Sequence, residues 1–155
     1  MHDQARRAVS AAFLLAAVLA GEVDASGVGR ALASHRGHPV VLTLWATWCE
    51  PCVKEFPSLM ALARERKDVA FVSVSIDEPE DRKTLEAFVA ARRPPFPVHA
   101  RASGPDQAFI DGVDRDWSGV VPATIVYDRE GRRVALLQGE HGRSDIEKAL
   151  ARAAR

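Results

Sequence analysis

Cys49 and Cys52 stand three residues apart in the run Trp48-Cys49-Glu50-Pro51-Cys52, and they are the only cysteines in the chain. Two thiols at this spacing can exchange with other disulfides, hold a metal ion, or staple the backbone. A staple across two intervening residues closes so small a loop that it restrains the unfolded chain very little. A zinc or copper site needs more ligands. There is no second cysteine pair, and His35, His38, His99 and His141 are scattered without ligand spacing. A metal-delivery module would have to use the two thiols with a distant histidine such as His141.

Thiol chemistry depends on which elements hold the pair. Val40 to Ala46 (VVLTLWA) is nearly all apolar with β-branched members, as expected of a strand buried on both faces. Pro51 to Lys67 reads as a helix with Val53, Phe56, Met60 and Ala63 along one face, kinked at Pro57. The cysteines therefore sit where a strand gives way to a helix. Unpaired backbone N–H groups and the positive end of the helix dipole stabilise a thiolate there. Residues three apart on a helix have Cβ atoms about 5–6 Å apart, so the pair can open and close with small adjustment. Cys49, at the cap, is expected to be the exposed nucleophile, and Cys52 the resolving thiol that attacks the mixed disulfide.

The rest of the chain supplies a frame for this junction. Ser26 to Arg36 predicts a short helix capped by Ser26 and stopped by Gly37; Val69 to Ile76 predicts a strand and Glu80 to Ala91 a helix. Strand, helix, strand, helix implies a parallel βαβ arrangement with right-handed crossovers. Pro94, Pro95 and Pro97 lead to an extended piece around Val98 and a short helix near Ala108. Ala123 to Asp128 and Arg132 to Gln138 flank a turn and predict an antiparallel hairpin, and Ser144 with Glu147 predicts the capping box of a last helix. The sum is an α/β domain with a mixed sheet of four or five strands and helices on both faces.

Composition bounds the partners. The chain has 155 residues, 47% apolar and 27% charged, with 21 basic and 21 acidic side chains. This predicts one globular domain and gives no global field to gather nucleic acid. At the start, Arg6 and Arg7 precede Ala8 to Ala20, whose only polar member is Ser10. That pattern reads as the n-region and h-region of an export signal, too short for a lasting membrane span. Small residues allow cleavage after Ala20 or Ala25, so residues 1–25 are read as signal peptide or amino-terminal anchor and 26–155 as the domain. The alternative is an Ala-rich helix packed on the domain.

Two blocks carry a family resemblance. Val40 to Leu59 (VVLTLWATWCEPCVKEFPSL) resembles the active-site segment of thioredoxin-like proteins, and is most similar to the TlpA/ResA-type thiol-disulfide oxidoreductases. Gly119-Val120-Val121-Pro122 followed by ATIVYDREGRRV resembles the family's second block. The resemblance implies a thioredoxin fold, a redox-active disulfide as the only cofactor, and a cis peptide bond before Pro122 facing the cysteines. It also implies an extracytoplasmic monomer that reduces partner disulfides, with apocytochrome c thiols as a target and a membrane-embedded thiol carrier as electron donor. Extended backbone at Val121 could pair with a substrate chain. Pro122 could instead simply open a strand.

Other residues tune this expectation. The buried acid that thioredoxin carries six residues before its first cysteine is replaced here by Thr43. Glu55, three residues after Cys52, matches an acidic position of the family; partly buried, it would take the proton from Cys52, and as a solvated neighbour of Lys54 it would not. Glu50, between the cysteines beside Pro51, opposes a Cys49 thiolate and predicts a reducing couple. Trp48 is read as the lip over the thiols, Trp45 as core, and Trp117 as either groove or core. Asp111, Asp114 and Asp116 read as a solvated loop. A peroxidase of the related peroxiredoxin type would show a separate cysteine in a Pro-Thr-Cys context, which this chain lacks.

Overall fold

The structure is a computed structural model that describes residues 19–155. The segment Met1 to Val18, with most of the expected export signal, lies outside the described residues. The elements run β1 (Leu19–Val23), α1 (Ala25–Ala33), β2 (Val40–Trp45), α2 (Glu50–Glu65) and β3 (Ala70–Ser75). A 3₁₀ turn (Pro79–Asp81) then leads to α3 (Arg82–Arg92), β4 (Val98–Arg101), α4 (Asp106–Val113), β5 (Ala123–Tyr127), β6 (Arg133–Gln138) and α5 (Arg143–Ala153).

The strands form one sheet in the order β1-β4-β3-β2-β5-β6. Its first four strands are parallel, and β5 and β6 are antiparallel to their neighbours. Right-handed crossovers explain the layers. Steps from β2 to β3 and from β3 to β4 move one way along the sheet, so α2 and α3 lie on one face. Phe56, Leu85 and Val89 pack there together with Ile146 and Leu150 of α5. The connections through α1 and α4 cross the other face, where Val28 and Phe109 pack on Leu42, Leu44 and Val74.

The sheet has six strands where four or five were expected. The additional strand is β1, whose residues had been assigned to the leader and whose side chains are mostly exposed, so no alternation betrayed it. Its register with β4 brings Glu22 to Arg82, 2.7 Å apart. Two caps also differ. Asp24, not Ser26, caps α1 by accepting the Gly27 N–H at 2.7 Å. At α5 the cap is Gly142, whose N–H donates to Asp145 at 3.1 Å; the helix starts at Arg143, so Ser144 lies inside it, and Glu147 pairs with Arg143 instead.

Candidate active site

The cysteine junction forms as its sequence predicts. Every residue of β2 is buried, and α2 starts directly after Cys49, whose carbonyl accepts the Val53 N–H at 3.1 Å. Cys49 is the N-cap, and its sulfur accepts the Cys52 N–H at 3.3 Å. The two sulfurs are joined as a disulfide with Cα atoms 5.2 Å apart. The helix continues through exposed Pro57. Both sulfur residues are buried, Cys49 at 6% and Cys52 at 3% exposure. The expected exposed position of Cys49 is thus corrected for the disulfide state: as N-cap, Cys49 turns its sulfur back onto the first turn of its own helix.

Register places the second block beside the first. Leu44 on β2 pairs with Ala123 on β5, so Pro122 falls next to the end of β2 that leads into the cysteines. The Val121–Pro122 peptide bond is cis, as the resemblance implied. Pro122 and Cys52 line a common cleft of about 460 Å³ with Glu55, Thr43, Thr124 and His141. Thr43, at the position of thioredoxin's buried acid, supplies no carboxylate to this cleft, whose acids are Glu55, one turn after Cys52 on α2, and Glu140.

Glu55 is half-buried, and one oxygen accepts the main-chain N–H of His141 at 2.9 Å. Burial pushes its carboxyl above the ordinary Glu value, the His141 N–H and ring charge pull it down, and Glu140 adds to the rise. The ring of His141 points elsewhere: Nδ1 lies 2.7 Å from the Gly139 carbonyl oxygen and Nε2 2.8 Å from Thr124 Oγ1. Both ring nitrogens are therefore engaged within the fold, and a metal reading that draws His141 toward the thiols finds no support in this geometry.

On the other side of the pair, Trp48 is 62% exposed and Val120 is 43% exposed, and these are the exposed large apolar side chains among the described residues. Trp48 borders a groove of about 180 Å³ with Ile76, Arg101, Phe109 and Gly119. Trp117 also touches this groove, but it is buried against Phe109 and donates its indole N–H to the Val120 carbonyl at 2.8 Å. It supports the loop before Pro122 from inside. Trp45 is core, with its indole N–H on Ser73 at 2.8 Å and its ring 4.8 Å from Phe56 and 4.9 Å from Phe88. Glu50 is exposed in the first turn of α2, and Pro51 follows at half-burial. Asp114 and Asp116 are held by Arg133, which ties down their loop, whereas Asp111, expected in that loop, lies on α4 and accepts from Gln107 one turn earlier.

Sequence reasoning missed a carboxylate. Asp77, 4% exposed, accepts the Thr47 N–H at 3.0 Å as well as the hydroxyls of Thr47 and Ser75. This ties the turn just before Trp48 and Cys49 to the end of β3. The available signal was Asp77 itself, two residues after Ser75 where the strand AFVSVS ends.

A family-level comparison matches residues 15–134 to the AhpC/TSA family. The chain belongs to this family. Among curated relatives, the thiol-disulfide oxidoreductase ResA of Geobacillus kaustophilus is 28% identical over 133 residues, covering 82% of this chain and 70% of the relative. The thioredoxin-like protein YneN of Bacillus subtilis is 29% identical over 130 residues, covering 81% and 71%. The crystal structure of a DsbF homologue from Corynebacterium diphtheriae superposes with a TM-score of 0.65 at 26% identity, covering 78% of this chain and 75% of that one. The thioredoxin fold expected from the two sequence blocks is thus found both in the topology and among solved structures.

Proposed function

We propose that this chain is a thiol-disulfide oxidoreductase that reduces disulfides in partner proteins outside the cytoplasm. The observation that carries the proposal is the Cys49–Cys52 disulfide at the first turn of α2, opening on a cleft shared with Pro122 and Glu55. The ResA name of its curated relatives supports the same class of reaction.

In the reduced protein the Cys49 thiolate attacks one sulfur of a partner disulfide. A Cys49–partner mixed disulfide forms and the other partner sulfur leaves as a thiolate. The Cys52 thiol gives its proton to the Glu55 carboxylate and attacks Cys49, which closes the intramolecular disulfide and releases the second partner thiol. Two electrons have passed to the partner, and a dithiol donor must return them. Trp48 and Val120 supply apolar contact for the partner chain, and the backbone at Val121 offers extended pairing next to Pro122. Glu50 disfavours the Cys49 thiolate and so biases the couple toward reduction of partners. Residues 1–25 act as export signal or amino-terminal anchor, and the pairing of β1 with β4 supports retention of Leu19–Val23 with the domain.

Reduction of insulin by the dithiol form is the direct test. The parent should precipitate insulin in the presence of a dithiol donor, and Cys49→Ser should not. Cys52→Ser should accumulate partners as mixed disulfides through Cys49 in the native cell. A parent protein that leaves insulin intact while its own disulfide is reduced would sink the reading. Amino-terminal sequencing of exported protein tests the leader.

A further inference from the structure

We infer that His141 is a positioning residue, whose ring locks the loop after β6 so that its own main-chain N–H holds the Glu55 carboxylate beside Cys52. This rests on Glu55 serving Cys52, as proposed above. The contacts form a chain from one half of the site to the other. Gly139 donates its N–H to the Pro122 carbonyl at 2.9 Å. Its own carbonyl, which can only accept, lies 2.7 Å from His141 Nδ1. Nδ1 must therefore carry the proton, so that in the neutral ring Nε2 accepts from the Thr124 hydroxyl at 2.8 Å. Thr124 is two residues beyond Pro122 on β5. With the ring fixed at both nitrogens, the main-chain N–H of the same residue is aimed at Glu55 Oε1 at 2.9 Å.

Any residue but proline would bring that N–H, so the donor alone does not explain a histidine here. What the ring adds is anchorage of a loop that turns at Gly139, whose φ of +79° is in the left-handed region that favours glycine. Beyond His141 the loop is tied by Arg143, which pairs with Glu65 at the far end of α2. That tie acts on the start of α5, and the Gly139 N–H on Pro122 holds the other end of the loop, so the ring is the side-chain anchor between them. The charged groups that share the cleft with Glu55 are Lys54 on its own helix, Glu140 and His141 of the loop, and Arg143 of α5.

The test is a titration of the Glu55 carboxyl by carbon-13 NMR in the full chain. It is done in the disulfide form, where no thiol titrates, and the resonance is assigned by its loss in Glu55→Gln. His141→Ala removes both ring contacts, and Thr124→Val removes one while keeping the histidine ring. Both variants should move the midpoint upward, by roughly one pH unit, the scale of one hydrogen bond to a charged group. The double variant should move it no further than His141→Ala alone. A midpoint that stays in place in Thr124→Val and His141→Ala, or that falls, overturns the inference. Should His141→Ala fail to fold, Thr124→Val decides by itself. The titration needs no oxidoreductase activity, so a failed insulin assay would remove the proposed reaction and leave this result standing on its own.

Discussion

Asp77 and Glu55 are both carboxylates drawn to the cysteine pair, one ahead of Cys49 and the other behind Cys52, and their surroundings differ in kind. Asp77 is almost fully buried and receives one backbone N–H and two hydroxyls. Glu55 is half-buried and receives a single main-chain N–H, from His141. A carboxylate whose lone pairs are occupied by fixed donors is an anchor, since each donor would be left unpaired without it. A carboxylate with spare acceptor capacity, partial burial and a thiol in the same cleft is suited to take up a proton. The number of donors, more than the depth of burial, separates the two roles.

The comparison can be broken by substitution. Asp77→Ala leaves three donors without partners and should cost about 3 kcal/mol in urea unfolding; a loss under about 1 kcal/mol would show that Asp77 anchors nothing. Glu55→Gln should fold normally but slow release of a mixed disulfide by Cys52 by about tenfold to hundredfold, followed in single-turnover reduction of a model disulfide. Release at the parent's rate across the pH range would remove Glu55 from the chemistry. The pair also separates in its response to pH. Because the folded Glu55 value is raised, chiefly by burial, its contribution to stability is full below the ordinary Glu range and is lost as pH rises through the folded value. The Tm of Glu55→Gln should therefore gain on the parent as pH rises through that range and then run parallel to it.

The smallest expected effect comes from a carboxylate with no such surroundings. Asp68 is lowered to about 2, first by its hydrogen bond from Arg66, yet it lies on the surface. Its stabilisation is present above the ordinary Asp value and lost as pH falls through about 2. Solvent screens the pair, so Arg66→Ala should cost at most about 0.5 kcal/mol at neutral pH. A larger loss would mean that a pKa shift at an exposed pair does measure stability here.

Those features that depend on local sequence were legible. The cysteine junction needs only an apolar strand, a turn and a helix in succession, and VVLTLWATWCEPC writes all three in one line. The hairpin of β5 and β6 was equally local. The connections that tune the site were not. Asp77 meets Thr47 across 30 residues, and the His141 N–H meets Glu55 across 86. Single-sequence patterns report which face of an element is buried and say nothing of which polar groups meet after packing. His141 was visible only as a candidate ligand, because its useful contacts run through its main chain and two neighbours that carry no motif. Strand β1 was hidden for another reason: a short apolar stretch after an arginine pair carries the signature of a leader, and an exposed edge strand adds too little alternation to compete.

That strand also fixes an order of events. Its neighbour in the sheet is β4, whose first residue, Val98, pairs with Leu19. As the chain emerges from ribosome or translocon, the first strand of the domain has nothing to pair with until most of the sequence has followed it. Contacts that close so long a loop form late, after the local strand-helix units have collapsed around the cysteines. The edge of the sheet is then sealed by the part of the domain that was made first.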